Sequence, residues 1–132
     1  MRRLELAWQN VILLIVDEVS FIGRSFFAKT HFRLQQARRG HFSEATKDPN
    51  YSLFGDISVL LVGDLGQQEP IDDWSLCDNE STYATCPAKQ RHLWKHNLQG
   101  RNLLKSFDEA IVLRQIHRSR EDMWWTESCL LL

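Results

Sequence analysis

Two short aliphatic runs constrain the fold of this chain more than any other feature. Residues 11–16 (VILLIV) and 57–62 (ISVLLV) are rich in β-branched side chains and too short for independent helices. Because both runs are nearly continuous rather than alternating, they predict buried parallel strands that are covered on both faces. A third run at residues 110–113 (AIVL) is a further candidate strand.

A helix is predicted between the first two strands, over residues 24–39. Gly40 would end it, with Arg38 and Arg39 in its last turn, where cations favour the helix dipole. Two sets of side chains could form its buried side: Phe27, Leu34 and Ala37, or Phe26, Phe32 and Leu34. The order strand, helix, strand is typical of an α/β fold with an open parallel sheet.

The remaining sequence predicts one long loop and one short helix. Residues 65–87 have no apolar period of either kind and predict a loop, and loops of that length are usually functional. Residues 93–104 predict a short helix that is interrupted at Gly100. The length of 132 residues fits a single domain, residues 1–132.

Composition excludes several classes of protein. With 16 Lys and Arg against 17 Asp and Glu, the net charge of -1 gives no global attraction to nucleic acid or to a membrane, so such a site must be local. The longest aliphatic run has six residues, whereas a membrane span needs about 20. Three cysteines are too few and too scattered for a disulfide framework. We therefore expect an intracellular protein with no membrane partner.

The residues that carry chemistry follow the two predicted strands. The first strand leads directly into Asp17 and Glu18, and the second leads into the sequence GDLGQ at residues 63–67. Ligands of open α/β sheets bind beyond the carboxyl ends of the strands. Asp17, Glu18, Asp64 and Gln67 would therefore lie around one crevice, where one carboxylate can bind Mg²⁺ while the next polarises a water. The alternative is a pair of solvated strand ends.

Three motifs resemble those of a known family of enzymes. Residues 16–23 (VDEVSFIG) resemble motif II of the Pif-type (petite integration frequency) DNA helicases, a RecD-like branch of helicase superfamily one. Residues 63–70 (GDLGQQEP) resemble motif III, with Phe54 and Gly55 before the strand as in the family. Residues 113–118 (LRQIHR) resemble motif IV. The motifs occur in the family's order.

The resemblance implies a fold, a reaction and a set of roles. The fold would be α/β, part of a RecA-like P-loop NTPase domain (the first motor domain) with a parallel sheet. ATP would be the substrate, Mg²⁺ the cofactor, and single-stranded or forked DNA the partner. Asp17 would hold Mg²⁺ through water, Glu18 would activate the attacking water, Gln67 would contact the γ-phosphate, and Arg118 would stabilise charge on the transferring phosphate. Purely structural roles remain open, with Gln67 capping a turn and Arg118 in an ion pair.

The sequence also departs from the family. Gln68 and Glu69 stand where the family has Leu and Pro, and the phosphate-binding sequence Gly-x-x-x-x-Gly-Lys-Ser/Thr occurs nowhere in the chain. The family places that sequence before motif II and a second RecA-like domain after motif IV. We therefore expect an interior part of a helicase that lacks the P-loop portion and the second motor domain, with an unpaired sheet edge, bare apolar faces and poor solubility.

The predicted helix carries a local basic patch. Residues 19–43 contain five Lys and Arg and no Asp or Glu. Lys29 and Arg33 are four residues apart and share one helical face, so they are candidates for contacts with the phosphates of single-stranded DNA. A solvated helix face is the alternative interpretation.

Three functional hypotheses follow. The first is an ATP-dependent DNA helicase acting in DNA repair, recombination and telomere maintenance, in the nucleus rather than the mitochondrion of a eukaryote, and present here as a fragment. The second is a catalytically silent, transposon-derived remnant that acts at most as a nucleic-acid- or protein-binding module. The third is another class of P-loop ATPase, such as a clamp-loader-like protein.

Overall fold

The computed structural model describes residues 2–38, 52–64, 66–78 and 88–113. Its main elements in chain order are α1 (Arg2–Trp8), β1 (Leu13–Val16), α2 (Arg24–Arg38), β2 (Ser58–Leu61) and α3 (Trp94–Leu104). Short 3₁₀ helices lie at Val19–Phe21, Leu53–Gly55 and Ala88–Leu93. This mixture of helices with a parallel sheet is compatible with the predicted α/β class.

The two strands pair in parallel, as their sequences predict. Leu13 pairs with Ser58 and Val16 with Leu61, so β1 and β2 run side by side in full register. On the inner face, Leu14, Val59 and Leu61 pack against the core cluster, to which α2 contributes. The outer face is bare in the described part of the chain, with Leu13 47%, Ile15 59% and Leu60 48% exposed. The expectation of cover on both faces is therefore wrong for these residues, because α2 packs on one side only.

Helix α2 confirms the predicted element and selects between its two possible buried sides. Phe27, Leu34 and Ala37 are almost fully buried, whereas Phe26 is 59% exposed. Phe27 packs against Phe54 with their ring centroids 5.2 Å apart, and both rings contact Phe107. This aromatic cluster joins α2 to the loop before β2 and to the segment after α3.

The N-terminus of α2 is capped from a distant part of the chain. Gly23 precedes the helix and has no side chain with which to cap it, and a Cβ there would overlap the carboxylate of Asp73. The same carboxylate accepts hydrogen bonds from the backbone N–H groups of Ser25 (3.0 Å) and Phe26 (3.2 Å), and from the Ser25 hydroxyl. Asp73 thus satisfies two of the N–H groups that every helix leaves unpaired at its start.

The C-terminal end of α2 is fixed by Arg38. Its guanidinium donates to the carbonyl oxygens of Trp8 (3.2 Å), Gln9 (2.6 Å) and Gly55 (3.1 Å). One side chain therefore holds the end of α1 and the turn before β2 against α2. A residue that reads as part of a basic patch in the sequence serves here as a structural anchor.

Helix α3 is continuous through Gly100, so the predicted interruption is wrong. Gly100 is buried against α2, where a Cβ would overlap the carbonyl oxygen of Arg24 and lie 2.7 Å from its carbonyl carbon. The glycine is there because the two helix backbones approach each other closely. Tertiary packing outweighs the cost of about 1 kcal/mol that glycine adds to a helix interior.

Two further predictions fall in segments without regular structure. The described part of the predicted loop, residues 66–78, contains no helix or strand and one isolated β-bridge, between Gly23 and Ser75, while residues 79–87 lie outside the described residues. Residues 110–113 form no strand, and Ile111, Val112 and Leu113 are 84%, 76% and 87% exposed. That strand prediction is wrong. Within the described ranges, no helix has the length and apolarity that crossing a membrane requires.

Candidate functional site

The carboxyl ends of β1 and β2 meet at one edge of the sheet. Val16 pairs with Leu61, and the N–H of Val62 donates to the carbonyl oxygen of Val16 at 2.8 Å. The segments that follow the two strands therefore leave the sheet side by side. The predicted juxtaposition of the residues after β1 with those after β2 is confirmed at the level of the backbone.

The turn after β1 holds Glu18 in an uncommon backbone conformation. Glu18 has φ 55° and ψ 50°, in the left-handed region that residues other than glycine seldom occupy. Its N–H donates to the Asp17 carboxylate at 2.8 Å, and the next N–H, of Val19, donates to the carbonyl oxygen of Val62 at 3.0 Å. Strained backbone of this kind costs of order 1–3 kcal/mol and is concentrated at functional sites.

Gly63 brings the two strand-end segments into backbone contact. It has φ 149°, and a Cβ at this position would lie 2.7 Å from the nitrogen of Val19 and 3.2 Å from the Cα of Glu18. Any larger residue would push these segments apart. Sequence reasoning quoted this glycine as part of a motif but missed its role, which is to let the turn after β2 lie directly against the turn after β1.

The turn after β2 is closed by Asp64. Its carboxylate accepts the N–H of Gly66 at 2.9 Å, and its carbonyl oxygen accepts the N–H of Gln67 at 3.3 Å. The side chain of Gln67 is exposed, as are those of Asp17, Glu18 and Asp64. Asp64 therefore supplies the hydrogen bonds of this turn, and the Gln67 side chain faces solvent.

The carboxylates at this edge could bind Mg²⁺ only if other ligands completed its coordination. In the part of the chain that the structure describes, no group of three or more His, Cys, Asp and Glu side chains is placed to hold a metal ion. Mg²⁺, however, keeps several waters and usually takes one or two carboxylates together with substrate phosphates. The exposed carboxylates of Asp17 and Asp64 suit that mode, in which a nucleotide completes the coordination.

The other predicted site residues are not brought to this edge. Arg118 lies outside the described residues. Lys29 and Arg33 are exposed on α2, where Arg33 donates to the Gln36 side chain at 3.1 Å. Arg24, from the same basic series, is 1% exposed; it lies 5.9 Å from the centroid of the Trp74 ring and donates to the carbonyl oxygen of Asp78.

Burial therefore divides the four basic residues of α2 into two kinds. Arg24 and Arg38 hold loops against the two ends of α2, while Lys29 and Arg33 face solvent and are free to meet an anionic partner. Charge pattern alone gives no means of separating the two pairs, because all four lie on one helix in a stretch without acidic residues.

Comparison with known proteins does not identify a family for this chain. No protein-family model matches the chain, and neither a curated protein nor a solved structure matches it.

Proposed function

We propose that this chain carries part of the ATPase motor of a Pif-type DNA helicase, with a RecA-like fold. The observation that supports the proposal is the meeting of two strand ends at one sheet edge, one bearing Asp17 and Glu18 and the other bearing the sequence GDLGQ. Two motifs resembling helicase motifs II and III thus lie where a nucleotide binds in open α/β sheets.

The proposed roles follow from the chemistry of phosphoryl transfer. Asp17 holds Mg²⁺ through water, and Glu18 orients and deprotonates the attacking water. Gln67, on the neighbouring turn, contacts the γ-phosphate and couples its presence to the DNA site. Arg118 stabilises the charge on the transferring phosphoryl group, a contribution worth about 10³ to 10⁵ in rate for an arginine finger.

The chain by itself is expected to hydrolyse ATP slowly or not at all. Its sequence contains no Gly-x-x-x-x-Gly-Lys-Ser/Thr segment, whose backbone N–H groups and lysine cradle the phosphates in P-loop enzymes. Preorganised donors of this kind usually supply the largest share of transition-state stabilisation. Hydrolysis at an appreciable rate therefore requires such a phosphate-binding segment and a second motor domain.

The first test is the natural length of the product, from the 5′ end of its transcript and its intact mass. A longer polypeptide with Gly-Lys-Thr upstream of Leu4 is then assayed for ATP hydrolysis with and without single-stranded DNA. We expect DNA-stimulated turnover that Glu18→Gln abolishes and that Glu109→Gln, a change at an exposed carboxylate elsewhere, leaves intact. Equal turnover in the Glu18→Gln variant and the wild type would overturn the proposal.

The second candidate is a catalytically silent remnant that binds nucleic acid or protein. It is favoured by Gln68 and Glu69, which replace Leu and Pro of the family motif and add a carboxylate beside the proposed nucleotide site. A natural product of 132 residues that binds DNA without hydrolysing ATP would select this candidate over the first.

A further inference from the structure

An open cleft lies between α2 and α3, away from the strand ends. Its volume is about 340 Å³, within the range of small-molecule sites. Six of its lining side chains carry the argument: His31, Phe32 and Gln35 from α2, and Gln99, Asn102 and Ser106 from the α3 side. Neither the predicted ATPase residues nor the resemblance to helicase motifs involves this cleft.

One wall of the cleft is aromatic and uncharged. The rings of His31 and Phe32 lie with centroids 5.4 Å apart. His31 is held in place because its Nδ1 accepts the backbone N–H of Phe54 at 3.0 Å, and burial lowers its pKa below the usual value of 6.5. A neutral, fixed pair of rings suits a flat aromatic ligand that binds by stacking.

Carboxamides line the cleft from both helices. Gln35 is oriented by a hydrogen bond from its Nε2 to the carbonyl oxygen of Ser52 at 2.8 Å, while Asn102 is exposed and Gln99 half-buried. Ser106 donates its hydroxyl to the carbonyl oxygen of Leu103 at 2.7 Å, which leaves the hydroxyl oxygen as an acceptor. Carboxamides present a donor beside an acceptor, the pattern that matches the edge of a nucleobase and of adenine in particular.

The surroundings of the cleft are basic. Helix α2 contains four Lys and Arg without an acidic residue, and residues 88–107 contain five Lys and Arg, again without Asp or Glu. Lys29 lies one helical turn before Phe32, and Lys95 lies one turn before Gln99; both are exposed. Each helix thus places a cation one turn from a residue that lines the cleft, which is complementary to a phosphate backbone.

We infer that the α2–α3 cleft binds a base of single-stranded DNA. The base lies against Phe32, the carboxamides contact its edge, and Lys29 and Lys95 meet the flanking phosphates. The inference rests on the proposed function to the extent that it names the DNA-binding site of the motor, but it requires no ATP hydrolysis. An apolar partner would have no use for the exposed carboxamide of Asn102 or for the exposed Lys29 and Lys95.

The test is the affinity of the 132-residue chain for a fluorescein-labelled strand of about 12 deoxyadenosines, measured by fluorescence anisotropy at low salt. Phe32→Leu removes the stacking surface, and Asn102→Asp replaces a carboxamide with a carboxylate at an exposed position. We expect each variant to bind about five- to one-hundred-fold more weakly, since stacking or reading one base is worth about 1–3 kcal/mol.

Matched controls separate the cleft from the rest of the surface. Phe26→Leu changes an exposed phenylalanine of the same helix that does not line the cleft, and Asn10→Asp makes the same charge change outside it. Both are expected to bind as the wild type does, with unchanged thermal unfolding. An abasic strand of equal length is expected to bind more weakly than the deoxyadenosine strand.

Four outcomes would overturn the inference: no binding of the strand by the wild type, equal affinity in the Asn102→Asp variant, equal affinity for the abasic strand, or an affinity for free adenosine monophosphate equal to that for the strand. The last outcome would assign the cleft to a free nucleotide rather than to DNA. The Glu18→Gln assay fails or succeeds independently, because it reports ATP turnover. Equal turnover in the Glu18→Gln variant and the wild type, together with weaker DNA binding in the cleft variants, would therefore reject the motor and keep the cleft.

Discussion

The helical side of the molecule and its strand-end site differ in how firmly each is held. Along α2, the buried Arg24, the capping carboxylate of Asp73 and the anchoring guanidinium of Arg38 connect the helix to several other segments. At the strand ends, the carboxylates and Gln67 face solvent, and among the described residues the two turns are connected by the backbone hydrogen bond from Val19 to Val62. The difference indicates that stability resides in the helix pair, while the side chains at the strand ends are accessible to solvent.

The difference also suggests why the strand-end site tolerates strain. Glu18 occupies the left-handed region although it is not a glycine, and its own side chain is exposed. Such strain persists only where the surrounding structure stabilises it. Here the parallel strand pair and the close contact at Gly63 impose the conformation.

The largest effect is expected at the contact between the two helices. Gly100→Ala places a methyl group against the backbone of Arg24, so the free energy of unfolding should fall by about 3 kcal/mol, the upper end for overpacking. Denaturant unfolding followed by circular dichroism measures the change. Gly66→Ala, which makes only an ordinary 3.4 Å contact in the strand-end turn, is the matched control. A stabilised Gly100→Ala variant would contradict the close approach.

The next effect is expected at the cap of α2. Asp73→Ala removes the acceptor for the N–H groups of Ser25 and Phe26 and should cost about 1–2 kcal/mol, as the loss of other helix caps does. Hydrogen exchange of these two amides should accelerate with it. Asp108→Ala, at an exposed carboxylate after α3, should leave both quantities unchanged. Unaltered exchange in Asp73→Ala would mean that the loop does not cap the helix.

A pH dependence is expected from His31. Burial lowers its pKa in the folded protein below the usual 6.5, so the unfolded chain takes up a proton first as the pH falls. The contribution to stability is fully present above about pH 6.5 and is lost as the pH falls toward the folded-state pKa. His31→Gln, measured by thermal unfolding across this range, should remove that part of the slope. His92→Gln, at an exposed histidine, should retain it.

The smallest effect on stability is expected at the strand ends. Glu18→Gln changes an exposed side chain without altering the turn, so the free energy of unfolding should stay within about 0.5 kcal/mol of the wild type. Denaturant unfolding measures it beside the Gly100→Ala variant. A loss above 1 kcal/mol would assign Glu18 a structural role and would remove the contrast between the two regions.

Several elements were predictable because their signals are local. The two aliphatic runs and the stretch between them specify β1, α2 and β2, and the strand ends carry Asp17, Glu18 and Gln67 to one edge. Local patterns failed at two places where contacts decide the outcome. The sequence pattern predicts a break in α3 at Gly100, but this glycine is the point of contact between α3 and α2. The pattern also predicts a strand at residues 110–113, which have no strand partner in the described part of the chain.

The meeting of the two strand ends was predictable from the sequence, but the geometry of the turns that follow them was not. A parallel pair of strands brings its following residues together whatever their detailed turns, and for that reason the motif spacing sufficed. The left-handed Glu18 and the backbone contact at Gly63 depend on how two turns fit against each other, which no single segment encodes. The proposed role of Arg118 stays a prediction, since that residue lies outside the described ranges.

The sequence by itself determined β1, α2 and β2, and which residues follow the strands. Hydrophobic period and chain length act over a few residues, so they can be read without a structure. Only the tertiary structure decided that Asp73 caps a helix 50 residues away in the chain, that Arg24 and Arg38 are anchors while Lys29 and Arg33 face solvent, and that a cleft lined by carboxamides opens between α2 and α3. These features arise from contacts between segments that are distant in sequence. The sequence of α2 would look the same if the whole helix were exposed to solvent, so it does not reveal them.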